Sequence, residues 1–422
     1  MVRAREIGRS VMALLSKNTT KKLRAVTFVA AAGLLALPSL AKAADETFNN
    51  VKVIPVPNMT SFDISWWDPV SGTMYLADRS NASIDVFPGA VLLNGFYTAN
   101  FVGVATNSSG AVNNDLSGPN GVLAFNNTTS GQNELWVGDG PQANPGCASF
   151  LAKCSVMKVL NANTGALTHT IVTNGAARAD ELCSDPVDHV VLIANDAEKD
   201  FAFGTPFISF VSTDTYQITK QVLIPEASNG IEQCKWDRTT GLFFINLPEV
   251  NGPGDDTGDG AVYVYDKNGN LVARYFIDIA NAHCAGPQGM SVGPEPQLLL
   301  GCNAPDKAGL RNSLIINKHT GATLAIAWGL GGADETWFNP TDSHYALTNT
   351  KSTPHTLNIF DGTGAGAVDQ MLALPTFGAV SQHSVAIDSF ANQVFVPNSG
   401  EVDVYQNSGN DGDDVASPQL SN

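Results

Sequence analysis

The sequence predicts an all-β chain folded as a seven-bladed β-propeller, and three observations carry that expectation. A pair of short apolar strands recurs seven times along the 422 residues, joined in five copies by an Asp or Asn turn and opening in the other two on glycine. The first and seventh turn anchors, Asp68 and Asp388, set a period of about 53 residues, close to the propeller range. The composition, with 39 glycines and only 15% charged residues, suits a turn-rich β protein better than a helical one.

Taken in order, residues 1–43 read as an export signal. Arg3, Arg5, Arg9, Lys17, Lys21, Lys22 and Arg24 form a basic leader, Ala25 to Leu37 is largely apolar, and Ala41-Lys42-Ala43 offers small residues at a cut. The apolar run falls short of the roughly 20 residues a membrane span needs. Cleavage after Ala43 and a periplasmic or secreted destination follow. The lone strand Val51–Val56 comes next, ahead of the first full repeat.

Copy one runs from Asp63 through Trp66-Trp67 to the turn at Asp68, then Thr73–Ala77 and Asp78. Copies three, four, six and seven repeat it with turns at Asp185, Asp237, Asn339 and Asp388. Copies two and five open on Gly118-Pro119-Asn120-Gly121 and Gly286-Pro287-Gln288-Gly289. Third strands such as Ser83–Phe87, Val156–Leu160 and Ala261–Tyr265 follow, with hairpin turns such as Asn163-Thr164-Gly165 leading to a fourth. The seventh copy stops after its third strand, Val402–Tyr405, so Val51–Val56 is expected to complete that blade and cover its bare edge. Pro55 is tolerable there because the outermost strand needs no further partner. The domain therefore spans 44–407, and the acidic stretch 408–422 has little to bury and is expected to be disordered.

Residues 1–43 hold eight of the 23 basic side chains and one of the 40 acidic ones, leaving 15 against 39 and a formal net charge of −24. Such a surface repels phosphate backbones and anionic lipid, so nucleic acid and membrane insertion are excluded as partners. A small-molecule ligand, with a protein partner as the alternative, fits better. Six cysteines in an oxidising compartment favour disulfides, and we expect 147–154, 183–234 and 284–302 among the 15 pairings six cysteines allow.

Met74-Tyr75-Leu76-Ala77-Asp78 with Asn81, Ile84-Asp85-Val86-Phe87 and the Gly-Pro-Asn-Gly and Gly-Pro-Gln-Gly openings resemble the propellers of the NHL-repeat, YVTN-repeat and gluconolactonase/regucalcin-like group. Members of that group include lactonases, a lyase of cyclic peptide antibiotics and many binding modules, so the resemblance leaves the function open. In its gluconolactonase-like members a Glu, an Asn and an Asp hold a divalent metal that polarises a lactone carbonyl. By that resemblance Glu232 or Glu181, with Asn246 or Asn195, are candidate ligands.

Propeller geometry brings the starts of the innermost strands to one mouth of the axial channel. Asp63, Asn120, Asp180-Glu181, Glu232, Gln288, Asp334-Glu335 and His383 start there, and Ala-Asp-Glu recurs at 179–181 and 333–335. Crowded carboxylates repel, so some must hold protons or recruit a cation. We expect Ca²⁺ or Mg²⁺ on Asp63, Glu181, Glu232, Asn246 and Glu335. His383 and His283 are candidate bases, and Asn120, Gln288 and Trp66 candidate substrate contacts. The site then serves a metal-assisted, lactonase-like hydrolase or a lyase; a non-catalytic binding or scaffold propeller for a protein or carbohydrate is the alternative. The run Asp255-Asp256-Thr257-Gly258-Asp259-Gly260 mimics a calcium loop, although Thr replaces an acid and a solvated polar loop explains it as well.

Overall fold

The repeat turns are held by their own anchors, which is why they recur. The Asp68 carboxylate accepts the Val70 N–H at 2.9 Å, the Ser71 N–H at 3.2 Å and the Ser71 hydroxyl at 2.6 Å. Asp185, Asp237, Asn339 and Asp388 do the same for the two or three residues that follow them. A short acceptor side chain mimics the backbone of a turn in this way, so Asp or Asn fixes the hairpin between the first two strands in blades one, three, four, six and seven.

The computed structural model describes residues 47–89, 92–197, 204–349, 351, 355–362, 371–375 and 382–408. The export signal expected at 1–43, and all of the 408–422 tail but its first residue, lie outside them. The described strands form seven antiparallel four-stranded sheets, each a blade, arranged as a β-propeller. Blade one contains Ser65–Asp68, Thr73–Asp78, Ser83–Pro88 and Gly95–Tyr97. The innermost strands of blades two to seven are Val122–Asn127, Ala179–Asp185, Cys234–Asp237, Ala285–Val292, Thr336–Asn339 and Ala386–Asp388.

Burial follows position in the blade. Thr73–Asp78 is buried at all six residues because neighbouring blades cover both its faces. Leu167–Val172, the outermost strand of blade two, leaves its first four residues exposed. Second strands therefore read as continuous apolar runs in the sequence and fourth strands do not.

The core lies between blades. Cys183, Phe210, Ile231, Phe243 and Tyr263 fill the space between blades three and four. Between blades seven and one, Trp67 stacks on Phe395 at 5.4 Å beside Met74 and Phe87.

Phe48–Pro55 pairs antiparallel with Glu401–Asn407 as the fourth strand of blade seven, with Pro55 opposite Glu401. The ring is thus closed as the sequence implied, with the strand beginning three residues earlier than its apolar pattern. In blade two the second strand runs on to Gln142, past the expected Asp139. Gly138 and Gly140 permit that close approach: a Cβ on either would meet backbone oxygen of Ala179 at 2.3 Å or Ser117 at 2.5 Å.

All six cysteines pair as expected: Cys147–Cys154, Cys183–Cys234 and Cys284–Cys302. The second of these ties the innermost strands of blades three and four together. Three disulfides point to an oxidising compartment. Among the described residues no helix is long and apolar enough to cross a membrane.

Candidate functional site at the axial channel

The starts of the innermost strands do converge, but their carboxylates come with partners. Asp63 pairs with the guanidinium of Arg79, which is 2% exposed and also donates Nε–H to Asn120 Oδ1 at 2.9 Å. Arg178 bridges two acids, Nε to Asp180 at 2.6 Å and Nη2 to Asp196 at 2.9 Å. Lys158 meets Asp139 at 2.7 Å. The aspartates of the expected acidic ring are held in ion pairs. Arg79, Arg178 and Lys158 escaped the sequence reading, although Asp78-Arg79 and Arg178-Ala179-Asp180 set a rare basic residue beside the very positions that were singled out.

His383 sits where its charged form is favoured. Its Nε2 lies 3.0 Å from the Phe62 carbonyl oxygen and its Nδ1 3.1 Å from Asp334 Oδ2. Both neighbours are acceptors, an arrangement that favours a proton on each ring nitrogen. Burial alone would lower its pKa, but the hydrogen bond and charge of Asp334, with Asp63 behind, outweigh burial and raise it. Burial likewise pushes Asp334 up, and its bond to His383 pulls it below the ordinary carboxylate range. A ring held in this state is a poor proton acceptor near neutral pH.

Glu181 and Glu335, from blades three and six, meet inside the channel. Burial raises both, and Glu181 is raised further by the charge of Glu335 and the hydrogen bond between them. Glu335 is pushed up to about 8. Its Oε1 is buried without a hydrogen-bond partner among the described residues, and two buried carboxyls this close favour the protonated form of at least one. Gln233 of blade four completes the group: its Nε2 donates to Glu335 Oε2, and its Oε1 accepts from the Met290 N–H of blade five. Burial also raises Asp180 to about 7, even with Arg178 beside it.

Other predicted site residues take supporting positions. Gln288 donates to Glu232 at 3.2 Å. The Asn246 amide donates to the carbonyls of Gln288 and Gly289, both at 2.8 Å, and so pins blade five to blade four. Asn195 similarly holds Ser155 Oγ and the Arg178 carbonyl. His283 stands apart, in a turn where it meets Asp306 at 3.0 Å and packs on Trp328. Trp66 lies farther down the channel, against Trp337 at 5.0 Å.

This donor set does not fit Ca²⁺ or Mg²⁺ as it stands. Asp63 is held by Arg79, burial raises Glu181 and Glu335 toward their uncharged forms, and Asn246 binds the neighbouring backbone. Among the described residues no three His, Cys, Asp or Glu side chains are grouped to hold a metal ion. The calcium-like loop is organised from within: Glu249 accepts the N–H groups of Gly254 and Gly258, Asp255 binds Thr257, Asp256 accepts from Asn229, and Asp259 accepts from Ile279.

No protein-family model matches the chain, and no curated protein matches it in sequence. Solved structures do match. A chain of the mitotic checkpoint complex aligns with a TM-score of 0.57 at 13% identity, covering 92% of this chain and 100% of its own. The Pan2 WD40 domain of Neurospora crassa aligns with a TM-score of 0.56 at 8% identity, covering 87% and 97%. At such identities the likeness is one of fold: this chain is a seven-bladed propeller with WD40-like structural neighbours.

Proposed function

We propose that this chain is an exported, non-catalytic binding propeller that engages a protein or carbohydrate partner at the axial mouth. One observation carries the reading: Asp63, Asp139, Asp180 and Asp334 are paired with Arg79, Lys158, Arg178 and His383. Stripping Asp63 from Arg79 to ligate a metal would cost about 3–5 kcal/mol, the usual loss on breaking a buried pair. A lactonase-like mechanism also wants a base, and His383 sits where its charged form is favoured. What the mouth offers is a fixed array of donors and acceptors, with the His383–Asp334 pair its more exposed part, at 22% and 33% of side-chain surface. Propellers of similar fold come from a protein assembly and a WD40 domain, which agrees with a partner-binding role.

Calorimetry on chelator-stripped protein is the test. We expect no saturable heat with Ca²⁺, Mg²⁺, Mn²⁺ or Zn²⁺, and capture of an envelope protein or glycan that survives EDTA but is lost on Asp334→Lys. Saturable metal binding abolished by Glu232→Gln overturns the reading in favour of a metal-assisted hydrolase. Capture indifferent to Asp334→Lys overturns the mouth as the recognition face.

A further inference from the structure

A second pocket sits at the other end of the channel, and its chemistry is opposite to that of the mouth. Three residues separate Asp63 from Trp66, Glu232 from Lys235 and Asp334 from Trp337. Trp66, Lys235 and Trp337 belong to the innermost strands Ser65–Asp68, Cys234–Asp237 and Thr336–Asn339, past the starts that carry the mouth residues. There Trp66 and Trp337 meet edge to face, and Lys235 Nζ lies 5.0 Å from the Trp337 ring centre and 5.7 Å from that of Trp66. A cavity of about 170 Å³ opens beside them, lined by Trp66, Lys235, Trp236, Val292, Trp337 and Phe338, with Ser291.

The polar groups of this cavity are donors. Lys235 is the one ionisable residue in its lining; burial lowers its pKa, while the charges of Glu335 and Glu181 nearby favour its ammonium form. The indole Nε1 groups of Trp66, Trp236 and Trp337 are buried with no acceptor among the described residues. The Ser291 hydroxyl is taken by Thr336 at 2.7 Å. Glu181 and Glu335 act on the lysine through their charge, with no ion pair between them and its Nζ among the described residues. Buried donors without acceptors are rare in folded proteins, and each calls for a partner. An ammonium stacked on two indoles gains from their faces but still presents its N–H groups to the void.

We propose that this pocket binds a small free carboxylate, seated on the Lys235 ammonium between the indole rings. A planar anion with two acceptor oxygens supplies what three indole N–H groups and an ammonium lack, and the flat ring walls suit its shape. The volume, at about 30 Å³ per water-sized group, accommodates a molecule of about half a dozen heavy atoms. The site is separate from the mouth and does not rest on the function proposed for it.

Three of the six tryptophans line the pocket, so intrinsic fluorescence reports on it. The intact protein is titrated with sodium acetate at ionic strength held constant with chloride. A saturable change at millimolar acetate is expected, weakened at least about tenfold in Lys235→Met, which keeps the stem and removes the charge, and retained in Lys235→Arg. Acetate should also raise the melting temperature of the wild type and not of Lys235→Met. Should Lys235→Met fail to fold, Trp337→Phe decides: it keeps a ring, loses one indole N–H and is expected to weaken acetate severalfold. No saturable change in the wild type up to about 100 mM, or an equal response in all variants, overturns the assignment.

Discussion

Glu335 and Glu181 are acids whose protonated forms the fold favours, and this has a direct consequence for stability. Burial raises Glu335 to about 8 and Asp180 to about 7, with Glu181 well above the ordinary glutamate range. The folded chain therefore retains protons that the unfolded chain has released, so their contribution is complete in acid and is lost as pH rises through these values. Each pH unit over which one such proton is retained counts for at most about 1.4 kcal/mol. We expect the melting temperature to fall from pH 5 to pH 8, and Glu335→Gln to flatten that slope and melt higher than the wild type at pH 8. Parallel slopes in melts across this range would refute the retained proton. At this scale the sequence was half legible. Ala-Asp-Glu at 179–181 and 333–335 marked the acids because the motif repeats, whereas Arg79, Arg178 and Lys235 occur in no repeat and their partners are chosen by tertiary contact.

Strands and turns were far more legible, because each repeat carries its own local cause. An Asp or Asn caps the turn between the first two strands in five blades, so Asp68, Asp185, Asp237, Asn339 and Asp388 surface as a period. The extension of the blade-two strand to Gln142 was not legible, since it depends on Gly138 and Gly140 passing backbone that arrives from elsewhere in the chain. The disulfides act at this same level and differ in worth. Cys183–Cys234 closes a sequence separation of 51 and joins two blades, while Cys147–Cys154 closes one of 7 within a single loop. Chain-entropy arguments give about 4 kcal/mol for the first and about 2 kcal/mol for the second. Replacing Cys183 and Cys234 together by alanine should therefore lower the denaturant midpoint by about twice as much as replacing Cys147 and Cys154. Equal losses would mean that the link between blades three and four adds no constraint beyond their packed core.

The whole ring depends on a strand that lies more than 300 residues from its partners in sequence. Phe48–Pro55 buries Phe48 and Ile54 to 7% and 3% exposure, with Val56 just beyond at 1%, against blade seven and its neighbours. Three such side chains contribute about 1.5–3 kcal/mol each, a sum comparable with the entire net stability of an ordinary domain. Without that strand Glu401–Asn407 becomes a bare edge ready to pair with another chain. The seam beside it is also where blade seven meets blade one, through Ser384 Oγ accepting the Ser65 N–H at 2.8 Å and His383 donating to the Phe62 carbonyl. Residues 47–56 thus support the mouth indirectly, by holding His383 against blade one. We expect a chain lacking 47–56 to melt at lower temperature and to elute as a dimer or larger species. A synthetic peptide of 47–57 added in trans should restore the monomer, because the vacated edge is already shaped to receive it. A truncated chain that stays monomeric with an unchanged melting temperature would mean that packing between blades alone closes the ring.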